Sequence, residues 1–473
     1  MAKGQRENER ASGRARRADV PRSGQADWEP AADRPDPFGI LAGQNRGRIA
    51  ELVPVRWGRM LESPFAFLRG AALVMARDLG TTPVSGITVQ ACGDAHLANF
   101  GVFASPERIL LFDVNDFDET FPGPFEWDLK RLATSAVVAA RATIGDEHGA
   151  EAARAASRSY RSHMHRYASM GVLDVWYDRV DADAARHTIG AAPVPSIETI
   201  LSRARRHTSQ AALPKLTELS DDGGRRIIDH PPLVTHDIGP RDVHAMEPLL
   251  RSYRASLDDD HRVLLDRFTV TDVARKVVGV GSVGTRCFIA LLTSDVGEPL
   301  FLQVKEAGIS ALACHVGTAP AHSKAPIKAT GTPVGSTAKA CVDAVPGQGR
   351  QGRRVVDGQR LMQAASDIFL GSASWRGRDY YVRQLRDMKG TVNVAALDPG
   401  SFVRYLELCG WTLARAHARS GPAAAIDGYV GRGEGFDRAI ARFALAYADQ
   451  TERDHALLVA AVRSGIIEAT PGV

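Results

Sequence analysis

The sequence has few cysteines, no long apolar run and little net charge, and each shortage argues against a class of protein. Five cysteines are scattered over 473 residues without a Cys-x-x-Cys pair, which argues against a disulfide framework or a zinc knuckle and suits a reducing compartment. No apolar segment is as long as a membrane span, and the basic start lacks the apolar core of a signal peptide. A net charge of +4 gives no reason to infer a nucleic-acid partner. We therefore expect a cytoplasmic protein that binds neither nucleic acids nor membranes.

Changes in composition along the chain indicate four regions and an α+β fold class. Residues 1–37 are rich in charged residues, glycine and proline, so we expect a disordered tail. Residues 38–264 have mainly helical periodicity. Residues 265–395 alternate β-branched and apolar side chains around glycines, which indicates strands, and residues 308–352 within them are poor in large apolar side chains and predict a flexible insertion. Residues 396–473 are helical again.

A glycine-rich turn and a lysine carry the main chemical signal of the β-rich region. Gly279, Gly281 and Gly284 form a Gly-x-Gly-x-x-Gly pattern that includes Ser282. A dinucleotide-binding turn needs a helix after this pattern, whereas the residues TRCFIALLTS favour a strand. Lys305 lies in the next predicted strand. Protein-kinase-like folds cover ATP phosphates with such a turn, whose amides approach the phosphates, and with a lysine that neutralises them. A plain hairpin with a surface lysine is the alternative.

Two polar loops of the first helical region have the spacing of a phosphoryl-transfer site. In QACGDAHLANFG, Asp94 and Asn99 stand five positions apart, as do the catalytic Asp and the metal-binding Asn of kinase catalytic loops. The segment ILLFDVNDFDET then places Asp113, Asp116 and Asp118 after an apolar strand. These carboxylates would repel one another without a cation, and Mg²⁺ prefers oxygen ligands. We favour Asp116 as the magnesium ligand, with Asp113 in reserve, over a solvated acidic turn.

Three other polar residues near these motifs have structural interpretations. His96 is expected to stabilise its loop rather than act as an acid or base. Asp128, in the predicted helix EWDLKRL, is expected to brace the loops. Glu306 follows Lys305 directly and should point to the opposite face of the strand, because side chains alternate along a strand.

Taken together, the motifs resemble two groups of proteins. CGDAHLANFG and FDVNDFDET resemble the catalytic and metal-binding loops of aminoglycoside and choline phosphotransferases, members of the protein-kinase-like superfamily. More closely, these loops together with RMLESPFAFLRGAA, VGVGSVGTRC, LFLQVKEA and YYVRQLRDMKG resemble the bacterial family called domain of unknown function 2252, over about residues 40–460. The first resemblance implies a two-lobe kinase-like fold in which Asp94 is the catalytic base and Asn99 and Asp116 are metal ligands. It also implies that Lys305 and the glycine turn bind the phosphates.

The chain departs from the ordinary kinase pattern in composition and in order. Cys92 stands where a histidine usually precedes Gly-Asp, and VVDGQRLMQAASD has no glutamate to pair with Lys305, so that Asp357 or Gln359 would have to substitute. The glycine turn and the lysine also follow the catalytic loop instead of preceding it. A circular permutation would reconcile this order, because chain ends often lie close together at a domain surface. GWTLARAHARSG would then be the helix that leads into the catalytic loop.

These features predict an ATP- and Mg²⁺-dependent phosphotransferase. No recognisable activation-loop segment separates DFDET from the helix after it, which favours a small hydroxylated acceptor over a protein. Two alternatives stay open: nucleotidyl transfer from the same site, and a non-catalytic, pseudokinase-like protein that binds nucleotides.

Overall fold

The chain combines helices and antiparallel sheets. The computed structural model describes residues 2–181, 183–185, 195–220, 223–236, 246–316 and 350–473. Helices account for 52% of the structure and strands for 17%, which confirms the α+β class. Most of the predicted flexible insertion, residues 317–349, lies outside the described residues.

Helices flank the strand-rich part of the chain. The helices that begin at Pro37, Pro64 and Pro399 are each capped by the side chain of the preceding residue, Asp36, Ser63 or Asp398. A proline at the first helical position costs nothing through its missing N–H. The helices are α1 (Ala2–Ala15), α2 (Pro37–Asn45), α3 (Val53–Leu61), α4 (Pro64–Gly70), α5 (Ala72–Leu79), α6 (Phe125–Arg141), α7 (Asp146–Tyr167), α8 (Val172–Tyr177), α9 (Pro195–Arg206), α10 (Ser209–Leu216), α11 (Glu247–Ala255), α12 (Asp259–Leu265), α13 (Arg350–Met362), α14 (Pro399–Ser420), α15 (Ala423–Val430) and α16 (Gly435–Arg463).

The largest sheet has six strands in the order β11-β12-β10-β9-β8-β7, and the strand pairs in it are antiparallel. A three-stranded sheet has the order β13-β2-β3, and the pairs β1-β4 and β5-β6 complete the described strands. The strands are β1 (Thr88–Ala91), β2 (Phe100–Ala104), β3 (Leu110–Val114), β4 (Phe121–Pro124), β5 (Thr217–Leu219), β6 (Arg225–Ile227), β7 (Val234–Thr235), β8 (Phe268–Lys276), β9 (Cys287–Ser294), β10 (Pro299–Glu306), β11 (Gly371–Trp375), β12 (Arg378–Gln384) and β13 (Gly390–Thr391).

The register of the six-stranded sheet determines which side chains share a face. Lys305 on β10 stands opposite Tyr381 on β12, and Gln303 stands opposite Arg383. Directly opposed residues, and residues two positions apart on one strand, project from the same face. Lys305, Tyr381 and Arg383 therefore project from one face of the sheet.

Two apolar cores stabilise the helical and strand-rich parts. In the larger core, the ring of Phe125 at the start of α6 packs against the rings of Tyr160, Tyr429 and Phe436, on helices α7, α15 and α16. The second core lies on the six-stranded sheet and includes Tyr253 of α11. The largest core also extends over β1–β4, so the polar loops between these strands are attached to a rigid support.

The amino-terminal segment differs from the prediction of a disordered tail over residues 1–37. Helix α1 packs against α15, where Arg10 forms an ion pair of 2.6 Å with Asp427, and Arg17 donates to the backbone carbonyl of Tyr429 at 2.9 Å. A Cβ atom on Gly13 would come within 1.9 Å of the Ala425 carbonyl oxygen, so the two helices approach each other closely. The order of this segment comes from these long-range contacts with α15, which its composition does not reveal.

The structure can be compared with two further expectations, that the chain has no membrane span and that it has no disulfide framework. Among the described residues, no helix combines the length and the hydropathy that a membrane span requires. Cys92, Cys287 and Cys409 are buried free thiols, whereas Cys314 is disulfide-bonded.

Candidate active site

The acidic loop after β3 meets the lysine of β10. Lys305 Nζ lies 2.8 Å from Asp118 Oδ2 and 3.4 Å from Asp116 Oδ2. Asp118 also accepts hydrogen bonds from the Tyr381 hydroxyl at 2.6 Å and from the Ser282 hydroxyl at 3.2 Å. Residues from the acidic loop, the glycine turn and two strands of the large sheet are thus brought to one place, although Lys305 and Asp118 are 187 positions apart.

The charges of this cluster depend on one another. Burial and the neighbouring Asp118 carboxylate raise the pKa of Asp116. Burial alone would also raise the pKa of Asp118, but the charge and hydrogen bond of Lys305 and the Tyr381 hydroxyl lower it to about 2. Although burial opposes ionisation of Lys305, Asp116 and Asp118 raise its pKa well above the ordinary value. At neutral pH the ammonium is therefore charged and, together with the Arg383 guanidinium, offsets the two carboxylates.

Asp94 lies in the loop after β1, where Arg131 of α6 is its ion-pair partner. Arg131 donates to Oδ1 of Asp94 from Nε at 2.8 Å and from Nη2 at 2.6 Å. Oδ2 lies 3.8 Å from Nε2 of His96. Burial lowers the pKa of His96 well below 6.5, so this imidazole is neutral at pH 7. Burial raises the pKa of Asp94, against the effect of Arg131. Because both Arg131 donors bind Oδ1, Oδ2 is the oxygen able to accept a proton.

Asp128 of α6 fixes the backbone of the same loop. Its carboxylate accepts hydrogen bonds from the amides of Cys92 at 2.6 Å and Gly93 at 2.9 Å. His417 Nε2 lies 3.1 Å from the same carboxylate, and its other ring nitrogen lies 2.9 Å from the Tyr160 hydroxyl. Asp128 and His417 are almost completely buried. The bracing role expected for Asp128 is confirmed.

The glycine-rich segment connects β8 and β9 as a turn, so the predicted strand–turn–strand arrangement is confirmed. Gly279 and Gly284 have positive φ angles of +62° and +84°. Residues other than glycine rarely adopt this backbone conformation. The turn is attached to the helical region, because Ile49 N–H donates to the Gly284 carbonyl at 2.8 Å and Arg48 and Arg59 donate to the Val283 and Gly279 carbonyls.

Oxygen donors that could hold Mg²⁺ lie on both polar loops. Asn99 donates its side-chain amide to the Asp94 carbonyl at 2.7 Å, so its side-chain oxygen is the atom available as a ligand. Asp116 and Asp118 supply carboxylates on the opposite loop. No group of three or more His, Cys, Asp or Glu side chains in the described part of the chain is arranged to hold a metal. This donor set suits Mg²⁺, which usually takes one or two protein carboxylates together with substrate phosphates and water.

Asp113 is placed apart from the lysine cluster. Its carboxylate forms a 2.6 Å ion pair with Arg415 of α14, and both side chains are inaccessible to solvent. It also accepts the Ala364 amide at 2.9 Å. Asp113 therefore makes a buried structural contact, and we assign no metal to it.

Several partners were not identified from the sequence. Arg131 stands three residues after Asp128 on the same helix. This spacing places both side chains on one helix face, so it could have indicated that Arg131 contacts the loop of Asp94 as Asp128 does. Lys305 pairs with Asp116 and Asp118 instead of with either suggested substitute for a glutamate. Asp357 pairs with Arg353 at 3.3 Å, and Gln359 donates to Gln363 at 2.9 Å.

Glu306 lies on the other side of the strand, as alternation predicts. Its carboxylate is 3.3 Å from Arg286 and also pairs with Arg378. It therefore belongs to an ion-pair group separate from Lys305.

Comparison with known proteins gives a family but no characterised relative. Residues 48–341 and 327–461 match the family described as "Uncharacterized protein conserved in bacteria (DUF2252)". No curated protein and no solved structure matches the chain. Since the two matches cover most of the sequence, including both polar loops, the glycine turn and Lys305, the chain belongs to the bacterial DUF2252 family.

Proposed function

We propose that this protein is an ATP- and Mg²⁺-dependent phosphotransferase that acts on a small hydroxylated molecule. The observation that carries the proposal is the contact of Lys305 with Asp116 and Asp118 at 3.4 and 2.8 Å, beside the hydroxyl of Ser282 in the glycine turn. A phosphate-binding lysine, a glycine turn and metal-binding carboxylates are the parts that phosphoryl transfer requires in one place.

We further propose a kinase-like two-lobe fold with permuted lobe order. Helix α14 follows the large sheet in the chain, and its last residue, Ser420, accepts a hydrogen bond from the Gln90 amide on β1 at 3.2 Å. Strand β1 leads directly into the loop of Asp94. The end of α14 thus lies beside the start of the polar loop, as it would if an ancestral chain had run from this helix into that loop and been reconnected elsewhere.

Each residue has a distinct role in this proposal. Lys305 offsets Asp116 and Asp118 when no nucleotide is bound and donates to phosphate oxygens when ATP enters. Asp94 orients the acceptor hydroxyl and takes its proton on Oδ2, while Arg131 holds Oδ1 in place. Bound magnesium would neutralise phosphate charge and orient the phosphates. Positioning and charge neutralisation supply most of the rate enhancement in this chemistry.

The short connection after the acidic loop supports a small acceptor. Only β4 (Phe121–Pro124) separates this loop from α6, which begins at Phe125. Protein kinases use a long activation segment at this point to hold a peptide substrate. The chain has no room for such a segment here.

Two observations favour a second candidate, a non-catalytic nucleotide-binding protein. Lys305 pairs with two aspartates of the acidic loop rather than with a glutamate, and Cys92 stands where a histidine usually precedes Gly-Asp; a protein that binds nucleotides without catalysis would tolerate both departures.

ATP consumption with a panel of hydroxylated metabolites distinguishes the two candidates. We expect Mg²⁺-dependent transfer of label from γ-labelled but not α-labelled ATP, and loss of turnover in Asp94→Ala and Asp116→Ala. Asp357→Ala, in an exposed pair on α13, is the matched control. Mg²⁺-dependent thermal stabilisation by ATP without consumption would support the non-catalytic protein, and unchanged turnover in both site variants would refute the assignment.

A further inference from the structure

Helix α4 lies between the glycine turn and the loop of Asp94. The backbone carbonyl of Arg69 is 3.2 Å from the position of a Cβ on Gly281. One residue earlier, the carbonyl of Leu68 accepts a 2.7 Å hydrogen bond from Arg131, which also holds Asp94. At the other end of the helix, the Phe65 ring meets the His96 ring edge-on at 6.2 Å. One short helix therefore contacts both polar elements of the site.

The side chain of Arg69 occupies this junction without a hydrogen-bond partner. Its Nε–H is buried and has no acceptor among the residues that the structure describes. The guanidinium lies 6.0 Å from the Phe65 ring centre, and Asp94 and Asp116 both act on it electrostatically. A buried cationic donor without a partner is costly, and a substrate anion would satisfy it.

Neither carboxylate needs Arg69 for charge balance. Asp94 is already paired with Arg131 at 2.6 Å, and the two positive charges of Lys305 and Arg383 act on the two carboxylates of Asp116 and Asp118. Arg69, which both carboxylates influence electrostatically and which is bonded to neither, is therefore available to a further anion.

We propose that Arg69 binds the terminal phosphate of ATP. This inference rests on the proposed function, in which Asp94 marks the acceptor oxygen and Asp116 the metal that holds the phosphates. The group between them is the phosphoryl group in transfer. A guanidinium offers two parallel N–H donors to phosphate oxygens. It stabilises the negative charge of the γ-phosphate, the terminal phosphate of ATP, which ADP lacks.

Isothermal titration calorimetry tests the inference. It measures the affinities for a non-hydrolysable ATP analogue and for ADP, both with Mg²⁺. In Arg69→Gln, the preference for the ATP analogue over ADP is expected to fall about tenfold or more, because a charge-assisted contact to the terminal phosphate is lost. Arg77→Gln, at an exposed position of the neighbouring helix α5, is the matched control and should keep the wild-type ratio. A purely structural role would lower the thermal midpoint and weaken both ligands equally.

The outcomes separate the two proposals. Wild-type protein that binds neither ligand overturns the proposed function and this inference with it. Wild-type protein that binds both, combined with an unchanged ratio in Arg69→Gln, overturns only the role of Arg69. Should Arg69→Gln fail to fold, Arg69→Lys carries the test: it keeps the charge but loses the paired donors, so a reduced preference supports the role and an unchanged ratio overturns it.

Discussion

Removal of the contact between Lys305 and Asp118 should cost a measurable part of the free energy of unfolding. The pair is short, at 2.8 Å, and the side chains are 4% and 27% exposed, so water screens it only weakly. We consider Lys305→Met, Asp118→Asn and the double variant as a mutant cycle, because the cycle isolates the pairwise energy from the effects of each single change.

The pKa of Asp118 sets the magnitude. The difference between the ordinary pKa of 3.8 and about 2 in the folded protein corresponds to about 2 kcal/mol. Tyr381 and Ser282 also donate to this carboxylate, so the share of Lys305 is on the order of 1 kcal/mol. Since the folded pKa is lowered, this stabilisation is complete above pH 3.8 and is lost only as the pH falls through about 2. The coupling should therefore be constant between about pH 5 and pH 8.

Urea unfolding of the four proteins measures this coupling. The exposed pair Arg353 and Asp357 on α13, at 3.3 Å and with side chains 78% and 61% exposed, gives a matched control cycle, for which we expect about 0.5 kcal/mol or less. A coupling in the Lys305 cycle no larger than in the control would refute the reasoning, since it would mean that the ammonium and the carboxylate do not interact as described.

Three further predictions concern the support of the site. Asp128→Ala leaves two buried loop amides unpaired and should lower the free energy of unfolding by about 3 kcal/mol in urea titration; a loss close to that of an exposed Asp→Ala change would contradict the bracing role. Arg415→Met leaves the Asp113 carboxylate buried and unpaired, which should cost about 3–5 kcal/mol, and adding Asp113→Leu should recover much of it; no recovery would argue against the ion pair. Burial raises the pKa of Glu119 from 4.5 to about 7, so the folded state retains a proton that the unfolded state loses, and thermal stability should fall as the pH rises from 4.5 to about 7. Glu119→Gln should remove this dependence, and an unchanged slope would exclude the residue as its source.

The sequence predicted the pieces of the site better than their connections. Lys305 could be placed on a strand after the glycine turn because alternation and glycine patterning depend on local residues. Its partners depend on the register between β10 and β12 and on a loop 187 positions away, which no local pattern encodes. The same reason explains Asp113, whose carboxylate pairs with an arginine 302 positions later.

The amino-terminal segment shows the limit of composition as a guide. Its many charged residues predict disorder when each is considered as solvated. Arg10 and Arg17 instead use α15 as a partner, and the close approach at Gly13 buries backbone between the two helices. Tertiary contacts of this kind override local preference.

Isothermal titration of the wild-type protein and of Lys305→Met with ATP, each with and without Mg²⁺, tests the central claim most directly. Arg353→Met, which removes an exposed cation on α13, is the control. If Lys305 and the acidic loop form one nucleotide site, the wild-type protein and the control bind ATP only with Mg²⁺, and Lys305→Met loses about tenfold or more in affinity. Binding of equal strength in all three proteins, or binding that does not depend on Mg²⁺, would contradict the claim.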